Sequence, residues 1–384
     1  MTRRRQGRLA LQIALLFTAP ALSPAATIQQ HFPADGPESA GETRWRIEWS
    51  IERHAGGSET LVIRNAWFSR APGDEVHVLG DTRVAEIFVP YHNGNRIYDI
   101  SNFGFRMVDL SPRDLGPMCI TPGMICDRSG NQTQSGPVAV EVHDDSVRWM
   151  DTANRTRRGQ KLEIWCALDA ANYRYVMLYE FRDDGSIRAR LGATASNLYS
   201  SNDDGTTHLH CPIWRINPVL GGRDQLLASE VGIDTNRLRT ESRPIREESD
   251  FPFEPRRFTK LRVENPGGLN GHSPPNPIGY ELIPTLSGTG RYFGLGEEFT
   301  RSDFWVTRGD LGELRPRDLP SYSNGEPLID QPITLWHMAG ALHIARDEDF
   351  GPVDYDSSDG LAIVAWAGFE LKPRNLFSST PLFP

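Results

Sequence analysis

The chain has 384 residues, 38% of them hydrophobic and 24% charged, with a formal net charge of −9. With a mean hydropathy of −0.45, it reads as a soluble globular protein long enough for one large core or two modest ones. An isoelectric point near 5.6 excludes recruitment of nucleic acid or anionic lipid by bulk charge.

The N-terminus, "MTRRRQGRLALQIALLFTAPALSPAA", has a basic start at Arg3, Arg4 and Arg5, an apolar run to about Ala19 and small residues near Ala25. That pattern predicts a secretory signal peptide over residues 1–25, whose apolar part is too short to span a membrane. The mature chain is therefore expected outside the cell or in a lumen. Residues 26–59 read as an N-terminal segment that is partly irregular, polar up to about residue 44. From Arg44 onward short runs alternate with period two: "RWRIEWSI", "ETLVIRNAWFS", "VAEIFVPY", "KLEIWCALDA", "YRYVMLYEF". Turn residues separate them, as in strands, and no amphipathic pattern predicts a helix longer than about three turns. The stretch 217–280, richer in Arg, Glu, Pro and Gly, reads as long loops or hairpin arms. The expected fold is all-β, a large antiparallel β-sandwich over residues 60–384 with few short helices.

Two sequons, at Asn131 and Asn154, suit a secreted glycoprotein. Of the four cysteines, Cys119 with Cys126 and Cys166 with Cys211 are possible disulfide partners, and free thiols are the alternative.

Chemistry first shows in "THLHCP". On a strand His208 and His210 leave by one face while Leu209 leaves by the other, so both imidazoles can reach one metal ion. A third imidazole would complete a site suited to Cu(II) or Zn(II). His337 and His343, in "LWHMAGALHIARDED", are candidates that spacing does not separate.

Four segments in order resemble the copper-containing primary-amine oxidases. "LWHMAGALHIARDEDFGPV" followed by "GFELKPRNLFSSTPLFP" is similar to the family's C-terminal signature. "THLHCPIW" resembles its copper-binding His-x-His pair, "DAANYRYVMLYEF" its Asn-Tyr-Asp/Glu-Tyr segment, and "VAEIFVPYHNGNRIYDISNFGF" the stretch with its gating tyrosine and catalytic aspartate. The resemblance implies copper(II) held by His208, His210 and His343. It implies that Tyr173 is oxidised in place by copper and dioxygen to topaquinone, with Asn172 restricting the ring. Asp99 would be the base that takes a proton from the substrate, and Tyr91 the tyrosine that hydrogen-bonds the quinone oxygen. The substrates would be a primary amine and dioxygen, and the assembly a homodimer.

Several positions depart from the family pattern. Arg174 stands where Asp or Glu usually follows the cofactor tyrosine, and Asp169 where Thr is common. The loop from Tyr91 to Asp99 is short, and no cysteine lies in "VAVEVHDD". Asn217 and Val219 replace the carboxylates of a peripheral calcium site, which makes calcium doubtful. The chain before residue 60 has no room for the small α/β domains that precede the family's catalytic sandwich. These departures keep two other readings open. One is a diverged copper enzyme of the same fold acting on a specialised metabolite; the other is a non-catalytic secreted sandwich that binds metal, which would need the histidines but neither Asp99 nor Tyr173.

Overall fold

A computed structural model describes residues 25–35, 43–70, 73–170, 173–195, 207–222, 225–270, 272–285, 296–310, 312–343 and 362–377. The expected signal peptide, apart from Ala25, and Asn172 lie outside the described residues. Two large sheets, wholly antiparallel among the described pairings, make the sandwich. One runs, in spatial order, through Ala26–Phe32, Thr43–Arg53, Glu59–Ser69, Val76–Pro90, His208–Pro218, Ile333–Met338, Phe304–Arg308 and Ser249–Phe251. Two short strands join it at the side, Ala341–His343 against His208–Pro218 and Arg96–Tyr98 against Val76–Pro90. The second sheet is centred on Ala362–Arg374, Ile187–Ala195, Tyr173–Arg182, Thr156–Ala170 and Val138–Met150.

Period-two patterning explains which face each strand buries. In Thr43–Arg53 the residues Trp45, Ile47 and Trp49 are buried while Arg44, Arg46 and Glu48 are half-exposed. Between the sheets these residues meet Phe68, Leu162, Ile164, Tyr179, Phe181, Trp214 and Phe369 in one continuous core. Each such side chain contributes roughly 1.5–3 kcal/mol on full burial. The strand His208–Pro218 is buried along its whole length, because it lies inside its sheet with Val76–Pro90 on one side and Ile333–Met338 on the other. The turn that returns Tyr173–Arg182 into Ile187–Ala195 needs Gly185 at φ +86°, a conformation that costs a residue with a side chain more. The Gly185 carbonyl there accepts a 2.8 Å hydrogen bond from the Tyr280 hydroxyl.

Three readings that the sequence left open are decided by the strand pairings. Part of the polar stretch 27–44 is a strand: Ala26–Phe32 pairs with Thr43–Arg53, placing Ile28 opposite Ile47. An edge strand needs only one apolar row, and the backbone ladder supplies the rest, so a polar sequence suffices. Residues 217–280 take the hairpin reading rather than the long-loop one: two hairpins (Leu227–Asp234 with Arg239–Ile245, Lys260–Leu269 with Pro277–Pro284) extend the second sheet. All four cysteines are free thiols. Cys166 and Cys211 sit in different sheets, and Cys126 is tied into a strand pairing with Val138, so backbone pairing directs the sulfurs apart.

Candidate active site and metal centre

The site forms where the two sheets face each other, with Tyr173 and Tyr175 from one sheet and three histidines from the other. Antiparallel register does the decisive work. His208 lies directly opposite His343, and His210 opposite Ala341, so the short strand Ala341–His343 delivers a third imidazole to the face already carrying two. His208, His210 and His343 present nitrogens that lie within 4.8 Å of one another, and all three side chains are buried. Burial and the neighbouring imidazoles hold His210 well below the ordinary histidine pKa, so it presents a lone pair at neutral pH. His337, which spacing alone left as an equal candidate, is turned away: its Nδ1 lies 3.1 Å from the Asp303 carbonyl, and its ring stacks on Phe304.

Tyr173 points into this cluster. Its hydroxyl oxygen is 3.0 Å from His208 Nε2 and 2.8 Å from His343 Nδ1, and the residue is only 4% exposed. Tyr91 stacks on the His208 ring at 4.6 Å between centroids. Asp99 opens the four-residue helix Asp99–Asn102 and is buried beside the same cluster. The Tyr175 hydroxyl donates to Asp99 Oδ2 at 2.6 Å and lies 3.1 Å from His210 Nδ1. Burial, reinforced by the charge of Glu86, pushes the Asp99 carboxyl up to about 7 despite the stabilising Tyr175 bond.

Two participants escaped the sequence reading. Tyr175 has no role assigned to it in the sequence, yet it bridges Asp99 to a metal-site imidazole. Glu86, buried within Val76–Pro90, accepts backbone hydrogen bonds from Ile87 and Ile100 at 3.0 and 2.8 Å and one from the Ser101 hydroxyl. It thereby fixes the turn that presents Asp99. The available signal was a lone carboxylate inside "VAEIFVP", since a buried charge requires a reason.

The donor set fits copper(II): three imidazole nitrogens converge from rigid strands, and burial holds His210 below the ordinary histidine value. Comparison with known proteins decides the kinship. The family model for the copper amine oxidase enzyme domain matches residues 42–383. The chain belongs to the copper amine oxidase family. Its match begins inside the segment that the sequence reading set apart before residue 60, so the strand Thr43–Arg53 falls within the matched region. The chain is 23% identical over 399 residues to a primary amine oxidase of an Arthrobacter species, covering 87% of this chain and 59% of that one. It is 22% identical to primary amine oxidase 2 of Arabidopsis thaliana, covering 91% of this chain and 60% of that one. The chain thus spans about three fifths of the length of these relatives. Among solved structures, a copper-containing benzylamine oxidase from Hansenula polymorpha shares the fold, with a TM-score of 0.68 at 17% identity over 98% of this chain and 64% of that one.

Set within the copper amine oxidase family, the two unusual charges near Tyr173 explain each other. Arg174 and Asp169 are directly opposite across neighbouring strands, and Arg174 Nη1 lies 2.7 Å from Asp169 Oδ1. Period two sends this pair to the sheet face away from the Tyr173 ring, where Asp169 is exposed and Arg174 half-exposed. Such pairs contribute about 0–1 kcal/mol. The Arg174→Glu variant should therefore lower the thermal midpoint by only a few degrees, through like charges facing each other, and leave copper binding intact. Loss of copper affinity in that variant would show that the pair acts on the site. The Asn217 side-chain oxygen Oδ1 accepts a 3.1 Å bond from the Thr334 hydroxyl.

Proposed function

We propose that this domain carries a secreted, copper- and topaquinone-dependent amine oxidase activity, converting a primary amine and dioxygen to an aldehyde, ammonia and hydrogen peroxide. The observation that carries the reading is a buried phenol with its oxygen within 3.0 Å of two of three clustered imidazoles. A structural tyrosine needs one hydrogen-bond partner; this one is aimed at a metal site. His208, His210 and His343 would hold copper(II), and copper with a quinone derived from Tyr173 would supply a covalent electron sink for the amine and a route for its electrons to dioxygen.

The chain's own residues supply the proton chemistry and the positioning. Asp99 Oδ2, with its acidity tuned to about 7, can take a proton from a substrate carbon near neutral pH, where a base is most effective. Tyr175 holds that carboxylate by its 2.6 Å bond, while the covering strands keep bulk water from the centre. Tyr91 packs the His208 ring and limits its rotation. A metal-binding sandwich without activity would need the histidines alone, so the buried Asp99–Tyr175 pair favours the enzyme over that alternative. The exposed Asn131 and Asn154 are compatible with secretion and glycosylation, and the edge hairpin Leu227–Ile245 offers a surface for a homodimer.

Mass spectrometry of the Tyr173 peptide after aerobic copper loading is the direct test. A mass gain matching conversion of phenol to quinone is expected; an unmodified peptide would sink the cofactor assignment. In the His208→Ala variant, bound copper should fall from one equivalent to near zero, measured by elemental analysis, because two imidazoles and a phenol form a much weaker site.

A further inference from the structure

Away from the copper centre, the outer face of the second sheet carries a different set of donors. On Val138–Met150, Val138, Val140 and Val142 point into the core, so Glu141 and His143 point the other way. The chain around Pro112–Ile120 lies over them, anchored by the Ile120 amide donating to the Val142 carbonyl at 2.8 Å. This overlay brings Cys119 against the pair.

We propose that Cys119, Glu141 and His143 form a second metal site, for a zinc-class divalent cation, on the outer face of this sheet. The geometry fits. Cys119 Sγ lies 3.3 Å from Glu141 Oε1 and 4.0 Å from His143 Nε2, and those last two atoms are 3.8 Å apart. A triangle with these edges has its centre about 2.2 Å from every corner, close to the lengths of Zn–O, Zn–N and Zn–S bonds. Glu163 stands at the edge of this triad, its Oε2 3.7 Å from the same His143 nitrogen.

Independent features point to a cation. Glu141 and Glu163 face each other directly across the strand pair, a like-charge arrangement that is destabilising unless a positive charge is shared. Lys161 divides its ammonium between Glu163 and the buried Glu180, each at 2.6 Å. The bond to Glu141 raises the pKa of His143, so the remaining positive charge is a proton on that ring, which a bound cation would displace. The carboxylate is also held in place as a ligand would be. Trp165 Nε1 donates to Glu141 Oε2 at 2.7 Å, and the Gly116 amide donates to Oε1, the outer support that orients metal ligands. A Cβ at Gly116 would sit 2.8 Å from His143 Cε1, so glycine there makes room for the ring.

The same surroundings argue against Cys119 as a free nucleophile. Burial and the two glutamates push its thiol up to about 11, so without a cation the sulfur keeps its proton. A divalent ion inverts that: it binds the thiolate, and one proton leaves the sulfur for solvent. No electron transfer is involved.

The test uses the full chain with copper in its triple-histidine site, titrated with cobalt(II) and then with zinc(II). Thiolate ligation gives cobalt(II) a near-ultraviolet charge-transfer band that an all-imidazole site does not give. The band should saturate at one equivalent, disappear on zinc addition, and be absent in Cys119→Ser. His143→Gln should weaken cobalt affinity by about 10-fold or more, with amine turnover unchanged in both variants as the control for folding. A missing band in the parent chain overturns the proposal, and so does a band that persists in Cys119→Ser.

Discussion

Replacing Tyr173 with Phe should reduce amine turnover to the uncatalysed level, a fall of at least about 10⁶-fold, and abolish quinone staining. The variant loses one oxygen, the atom 3.0 Å from His208 Nε2 and 2.8 Å from His343 Nδ1. The ring would still fill its place beside Tyr175 and His210, at 6.1 and 4.8 Å between centroids. Loss of one buried hydrogen-bonding group should therefore cost about 1 kcal/mol of stability, and the three imidazoles should retain copper. The expected pattern is a folded, copper-loaded, colourless and inactive protein. Turnover that survives in this variant would place the electron sink elsewhere.

The Asp99→Asn change should have the second largest effect. It keeps the shape and the acceptor oxygen for the Tyr175 hydroxyl but removes the base, so kcat should fall by about 10²–10⁴-fold while the quinone colour remains. The parent enzyme should show kcat/KM rising with pH through about 7, because Asp99 must lose its proton to act. That limb should vanish in the variant. Stability should respond in the opposite sense. A carboxyl whose folded value is raised from 3.8 to about 7 favours the fold below its unfolded value, and that contribution is lost as pH rises through 7. The metal-free Asn variant should consequently resist denaturant better than the metal-free parent at pH 8, with the gap closing toward pH 4. Full activity in Asp99→Asn would require another base.

The Arg174 and Asp169 pair shows how a local oddity becomes intelligible only in register. In the sequence they are two separate departures, five positions apart. In the sheet they are opposite residues on one exposed face, a reversal of charge matched by its complement. Their effect on the copper centre is small because the intervening backbone turns alternate side chains to opposite sides.

Several features were legible in the amino-acid sequence because they depend on local order. Period-two alternation fixes strands, the abundance of such runs fixes an all-β sandwich, and the His208–His210 spacing puts two imidazoles on one face. Motif order along the chain was enough to point to the family and to pick His343 over His337. What the sequence could not decide were contacts made across strands and between sheets. Only the pairing of His208 with His343 closes the metal triad, only the facing of two sheets brings Tyr173 onto it, and only the packing over Glu86 and Tyr175 makes Asp99 a buried acid near neutrality. Likewise Cys119 meets Glu141 and His143 because a distant segment lies over their strand. Sequence distance carries no information about such meetings: register and sheet packing, set by the whole hydrophobic core, choose them.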